Sequence, residues 1–194
     1  KKKKRLREII ARIKSRMESK MTGSGHTVAM LSAMAQFSPS SYYSDILRGY
    51  QYYEFIEKAD RDFDSMKEML AENLKRTAAL IFTKENLTVS FTAEDDGLEL
   101  LQKPMTEFVA KLAQLQGKDA VRTFRPVKEK TAYTSSSQVQ NVARCGNYRK
   151  AGYEYTGALK VLKIIFSYDY LWLNVRVKGC AYGSMSGFYR NGDT

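Results

Sequence analysis

Residues 86–92, NLTVSFT, decide the fold class. Leu87, Val89 and Phe91 alternate with polar residues, which is the period of a strand with one buried face. The chain before this stretch has helical spacing, so a strand here makes the fold α+β. After it, Leu101, Met105, Phe108, Leu112 and Leu115 return to helical spacing, and Pro104 is tolerable only near that helix's first turn. Glu94, Asp95 and Asp96 lie between the strand and this helix. Capping and helix-dipole complementarity account for them.

Working outward toward the N-terminus, Leu6, Ile9, Ile10, Ile13 and Met17 predict an amphipathic first helix. TGSGH at 22–26 interrupts it and caps a second helix from Thr27 to Phe37. SPSS at 38–41 breaks and restarts the chain. A third helix carries Tyr43, Ile46, Leu47, Tyr50 and Tyr53, and a fourth places Phe63, Met66, Leu70 and Leu74 on one stripe.

Toward the C-terminus, periodicity fades between Gln116 and Ser137, and residues 117–137 read as a connector between segments 1–116 and 138–194. SQVQNVAR (137–144) predicts a strand. Leu159, Leu162, Ile165, Phe166 and Tyr170 predict a helix running into YLWLNVRV (170–177). Gly179 and Ala181 then turn the chain into a final strand that enters the turn RNGD (190–193). The expected architecture is α+β: a helix-rich N-terminal segment with a strand and a helix, then a partial α+β domain. Cations open the first helix and no strand follows the last turn, so both ends read as cut and a fragment is expected.

The 194 residues are 43% hydrophobic and 12% aromatic, enough for a packed core. No apolar run reaches membrane-spanning length and no signal peptide is visible, so a membrane is not an expected partner. Cys145 and Cys180 form no C-x-x-C pair. Reduced thiols and an intracellular, cytoplasmic location are expected. Of the formal net charge of +11, +8 sits in residues 1–20, where ten Lys or Arg face Glu8 and Glu18. A charge confined to one helix disfavours nucleic acid as a partner. The alternative it leaves is a basic, non-enzymatic binding module using residues 1–20.

Few residues offer chemistry. His26 is the only histidine and has no Cys or carboxylate cluster beside it, so it cannot build a zinc site; a helix-capping or buried role is expected. Gly23 and Gly25 are too sparse for a phosphate loop. The group Tyr42, Tyr43, Tyr50, Tyr52 and Tyr53 has the spacing of packing residues. Arg176 and Tyr182 flank a small-residue turn. A fork of donors and a phenolic donor aimed together suit a peptide carbonyl gaining negative charge, and residue chemistry alone leaves a structural salt bridge equally open.

YLWLNVRVKGCAYGSMSG (170–187) resembles the C-terminal half of the pitrilysin/insulinase-type zinc metallopeptidases, in their presequence-protease subgroup. That subgroup carries YLW-x-x-V-R-V-x-G-G-A-Y-G in its fourth domain. GHTVAMLSAMAQFSPSSYYSDILRGYQYYEF (25–55), IFTKENLTVSFT (81–92) and YEYTGALKVL (153–162) agree in the same order. Cys180 stands where the family usually has its second glycine, which reduces backbone freedom there.

The resemblance implies related α+β domains of the LuxS/pitrilysin type, with 1–116 the end of the third domain and 138–194 the start of the fourth. It implies a peptide substrate and, as partner, an N-terminal zinc-bearing half of the same protein carrying H-x-x-E-H. Arg176 and Tyr182 match residues that contact the substrate carbonyl and stabilise the tetrahedral intermediate. No cofactor is expected in this chain, zinc is implied for the full-length enzyme, and the fragment alone is expected to be inactive. An inactive partner subunit of the same superfamily is the other member-type this pattern allows.

Overall fold

The computed structural model describes residues 2–114 and 128–194. The described chain forms two compact units. One comprises residues 2–61 and 128–194, and the other residues 62–114.

The first unit opens with four helices, α1 (Lys2–Gly23), α2 (Gly25–Ala35), α3 (Pro39–Arg48) and α4 (Tyr50–Arg61). α1 packs on α4, α2 on α3, and α3 on α4. Ile10, Val28, Met34, Ala35, Ile56 and Ala59 are the buried apolar side chains among them. The stripe predicted for α1 faces inward, with Ile10 buried and Leu6, Ile9, Ile13 and Met17 partly so. Lys14 binds Asp60 at 3.2 Å, tying α1 to α4 from the rim.

The predicted third helix is in fact two. Gly49 separates α3 from α4, and Asp45, 2% exposed, accepts from the Tyr50 backbone N–H at 3.0 Å and from Gln51 Nε2 at 2.9 Å. Its carboxylate thereby meets the unpaired donors at the start of α4. A Cβ at position 49 would overlap Asp45 Oδ1, so only glycine fits beside the cap. The inward positions of α3 are accordingly Ser41 and Asp45, while Tyr43 and Leu47 of the predicted stripe are exposed. Polar contacts, not apolar periodicity, set the rotation of this helix.

The C-terminal part of this unit holds a short 3-10 turn (Arg149–Ala151), α7 (Ala158–Ile165) and a wide helix (Phe166–Val177) with i→i+5 winding. No residue of α7 or the wide helix is buried. The RNGD turn is present, closed by Gly192 N–H to Tyr189 O at 2.9 Å. It is also partnered: Asn147 and Asp193 form an antiparallel bridge, flanked by the Gly146–Thr194 exchange at 2.9 and 3.0 Å.

The second unit contains α5 (Phe63–Ile81) and α6 (Asp95–Ala110). Of the predicted α5 stripe, Phe63 and Leu70 are buried, Met66 is partly buried and Leu74 is exposed. α6 begins earlier than its apolar spacing predicts, so Pro104 falls in its interior rather than its first turn. Glu94 is its N-cap by position, although its side chain makes no capping bond.

The α+β expectation is overturned. Among the described residues there is no sheet, and the only β-type pairings are the isolated bridges Thr83–Ala113 and Asn147–Asp193. NLTVSFT keeps its alternation, yet Val89 and Phe91 are about half exposed and no strand lies alongside. The predicted strands at 137–144 and after Gly179 fail in the same way. Alternation supplies a face, but a strand also needs a neighbour to take its backbone hydrogen bonds. Leu115 and residues 117–127 of the predicted connector lie outside the described residues, and 128–137 have no regular structure.

Candidate functional site

Arg176 lies in the last turn of the wide helix, and that helix ends with Lys178 N–H bonded to Leu173 O at 3.0 Å. Ala181 N–H then returns to Val175 O at 3.2 Å, folding the chain back over the helix end. Gly179 makes this approach possible, because a Cβ there would sit 2.6 Å from Val175 O. The next residue, Cys180, has φ 56 and is the only non-glycine with positive φ among the described residues. This is the position where the family pattern carries glycine, and L-residues adopt that conformation at an energetic penalty.

Tyr182 stands at the far side of the turn, 93% exposed. Among the described residues its hydroxyl has no hydrogen-bonding partner. Arg176 has its guanidinium 4.2 Å from the centre of the Trp172 ring, so its partner is an aromatic face and not Tyr182. The structural salt bridge that residue chemistry left open is not formed among the described residues. Ser167 and Ser186 hydroxyls, 2.9 Å apart, join the wide helix to the segment beyond Tyr182. Both predicted residues are thus presented to the outside by one turn, with their donor groups free.

The other candidates take other roles. His26 is exposed in the first turn of α2, neither cap nor buried group. The tyrosines make ring contacts without entering the core: Tyr50 stacks on Tyr133 at 3.8 Å, and Tyr42 lies edge-on to Tyr43, which is 48% exposed. Burial, then the Glu54 charge, holds the Tyr50 hydroxyl above its ordinary range. In the basic helix, Lys14 is compensated by the Asp60 carboxylate at 3.2 Å, and Lys20 bonds Arg48 O at 3.1 Å while keeping its charge. Among the described residues no group of three or more His, Cys, Asp or Glu could hold a metal ion, so they do not fit a zinc site. No described helix is long and apolar enough to cross a membrane.

Two residues escaped the sequence reading. Trp172 sits four positions before Arg176, and that spacing on a helix was the available signal. Asp193 is fully buried at the N-terminus of α3, where it accepts from Ser38 Oγ and Ser41 Oγ at 2.5 Å and from Asn147 Nδ2 and Asn191 Nδ2 at 2.8 Å. No local pattern pairs it with residues 155 positions away. Nearby, burial and then the Asp193 charge push the Cys145 thiol up to about 11. Cys145 and Cys180 are both free thiols.

A family model described as peptidase-associated, for subfamily C of the pitrilysin-type peptidases, matches residues 1–58, and one described as PreP C-terminal domain matches residues 130–193. Protein HypA of Clostridium perfringens is 33% identical over 191 residues, covering 97% of this chain and 19% of its own length. Presequence protease 1, chloroplastic/mitochondrial, of Arabidopsis thaliana is 26% identical over 185 residues, covering 95% and 17%. An uncharacterized protein of Borreliella burgdorferi is 25% identical over 193 residues, covering 93% and 19%. The chain therefore spans about a fifth of the length of these relatives. With two family models matched in order, and relatives aligned through nearly its whole length, the chain belongs to subfamily C of the pitrilysin-type peptidases, in the stretch that runs from the peptidase-associated region into the PreP C-terminal domain.

Proposed function

We propose that this chain is part of a zinc-dependent peptidase that degrades oligopeptides in a closed chamber, where it supplies chamber wall and contacts to the substrate carbonyl. The observation that carries this reading is the turn at Gly179 and Cys180, which holds Arg176 and Tyr182 on either side with their donor groups unspent. Arg176 brings a fixed charge and in-plane N–H donors, and Tyr182 a neutral O–H. A carbonyl oxygen turning into an oxyanion needs such donors in place before the charge develops. On this reading the two residues bind and orient the carbonyl and hold its growing charge. The zinc and the glutamate that would deliver the attacking water belong to an N-terminal half outside these 194 residues. Residues 1–116 would close the third domain and residues 138–194 open the fourth, with 117–137 connecting them, in an enzyme located inside the cell.

The test is made in the full-length protein with a fluorogenic peptide. Arg176→Ala should lower kcat about 100-fold, the lower end of the range for removing an oxyanion donor, and Tyr182→Phe, which removes one neutral O–H, about tenfold. Zinc content, measured on the same preparations, should not change. Normal turnover in both variants would remove the two residues from the catalytic role.

A further inference from the structure

We infer that Trp172 is a positioning residue for Arg176, the platform on which the guanidinium is held ready for a peptide carbonyl. The inference rests on the reading of Arg176 given above. The guanidinium carbon lies 4.2 Å from the ring centre, well inside the range of a cation–π contact. No carboxylate pairs with Arg176 among the described residues. The difference matters chemically. A bidentate carboxylate would occupy two of the five N–H donors, whereas a ring holds the group by its charge and presents no oxygen to take up the donors.

A tryptophan in such a motif would ordinarily be core filler, and here it is not. Trp172 is 43% exposed, on a helix without a buried residue. Phe166 and Tyr170, also four apart on this helix, stack at 5.2 Å and 11°. The winding of this segment therefore brings side chains four apart together, as stacked rings at Phe166 and Tyr170 and as a guanidinium over a ring at Arg176 and Trp172. An exposed arginine otherwise spreads over many rotamers, few of which point at a given carbonyl. Stacking removes that loss before the substrate arrives, so the gain falls on the chemical step.

Trp172→Tyr, Trp172→Phe and Trp172→Leu, made in the full-length protein, should lower kcat by about two-, three- and tenfold in that order, with KM within about twofold. In an Arg176→Ala background, Trp172→Leu should have no further effect. Trp172 is the only tryptophan of the chain. The difference in emission between the protein and Trp172→Phe isolates its signal, which Arg176→Ala should alter. Equal losses for Phe and Leu, a full Trp172→Leu loss without Arg176, or unaltered emission would overturn the platform while leaving the role of Arg176 intact. Normal turnover of Arg176→Ala would instead bring down the underlying reading.

Discussion

Compare the N-terminus of α3 with the turn at Gly179 and Cys180, both in the first compact unit. Around α3, the buried Asp193 takes four side-chain hydrogen bonds from three separate parts of the chain, and Ser38 Oγ also accepts from Ser41 N–H at 3.2 Å. At the turn, Tyr182 has no partner among the described residues and Arg176 has only a ring face. The same residue chemistry serves opposite ends. Donors saturated inside the protein fix architecture, and donors left free at a well-defined turn are what a ligand can use.

The sharpest way to break the comparison is Asp193→Ala. It removes the carboxylate that the Ser38 and Ser41 hydroxyls and the Asn147 and Asn191 amides share, although the amides keep Asn191 O and Ser40 Oγ as acceptors, and stability should fall by about 3 kcal/mol in denaturant unfolding. A loss as small as that of an exposed residue would mean the network is ornamental. Gly49→Ala comes next. Its methyl must displace the Asp45 carboxylate that caps α4, and a loss of about 2 kcal/mol is expected in the same measurement.

Cys180→Gly runs the other way. It relieves the left-handed conformation and should stabilise by up to about 1 kcal/mol, with turnover retained. A loss of turnover would show that the turn uses the cysteine side chain. The last effect, absent near neutral pH, concerns Cys145. Its folded-state pKa, about 11, exceeds the ordinary 9.0, so the unfolded chain releases the thiol proton first. Stability is therefore full below pH 9 and declines as pH rises from 9 toward 11. Cys145→Ala should flatten that part of the pH–stability curve.

How much was legible follows from the kind of interaction involved. Where burial of an apolar stripe orders a helix, as for Ile10 in α1 and for Phe63 and Leu70 in α5, spacing along the sequence was sufficient. Where a polar contact decides, it was not. The break at Gly49 depends on the Asp45 carboxylate, and the partnering of the RNGD turn depends on Asn147. Strand patterns misled for a third reason, since Leu87, Val89 and Phe91 state a preference that only a neighbouring strand can realise. At the site, the motif singled out Arg176 and Tyr182. Their lack of a mutual contact required coordinates, whereas the Trp172–Arg176 contact was signalled by a spacing of four on a helix.

The bond between Ser38 and Asp193 closes a loop of 155 positions, whereas the packing of α3 on α4 joins neighbours in sequence. Local contacts form at little loop entropy, while a closure of that length is reached only when much of the chain is already ordered. The buried network is therefore expected to form late in folding. Interactions absent from the transition state act on the escape from the native state rather than on the approach to it. On that expectation Asp193 is a latch on lifetime: Asp193→Ala should raise the unfolding rate in denaturant-jump kinetics and leave the folding rate unchanged.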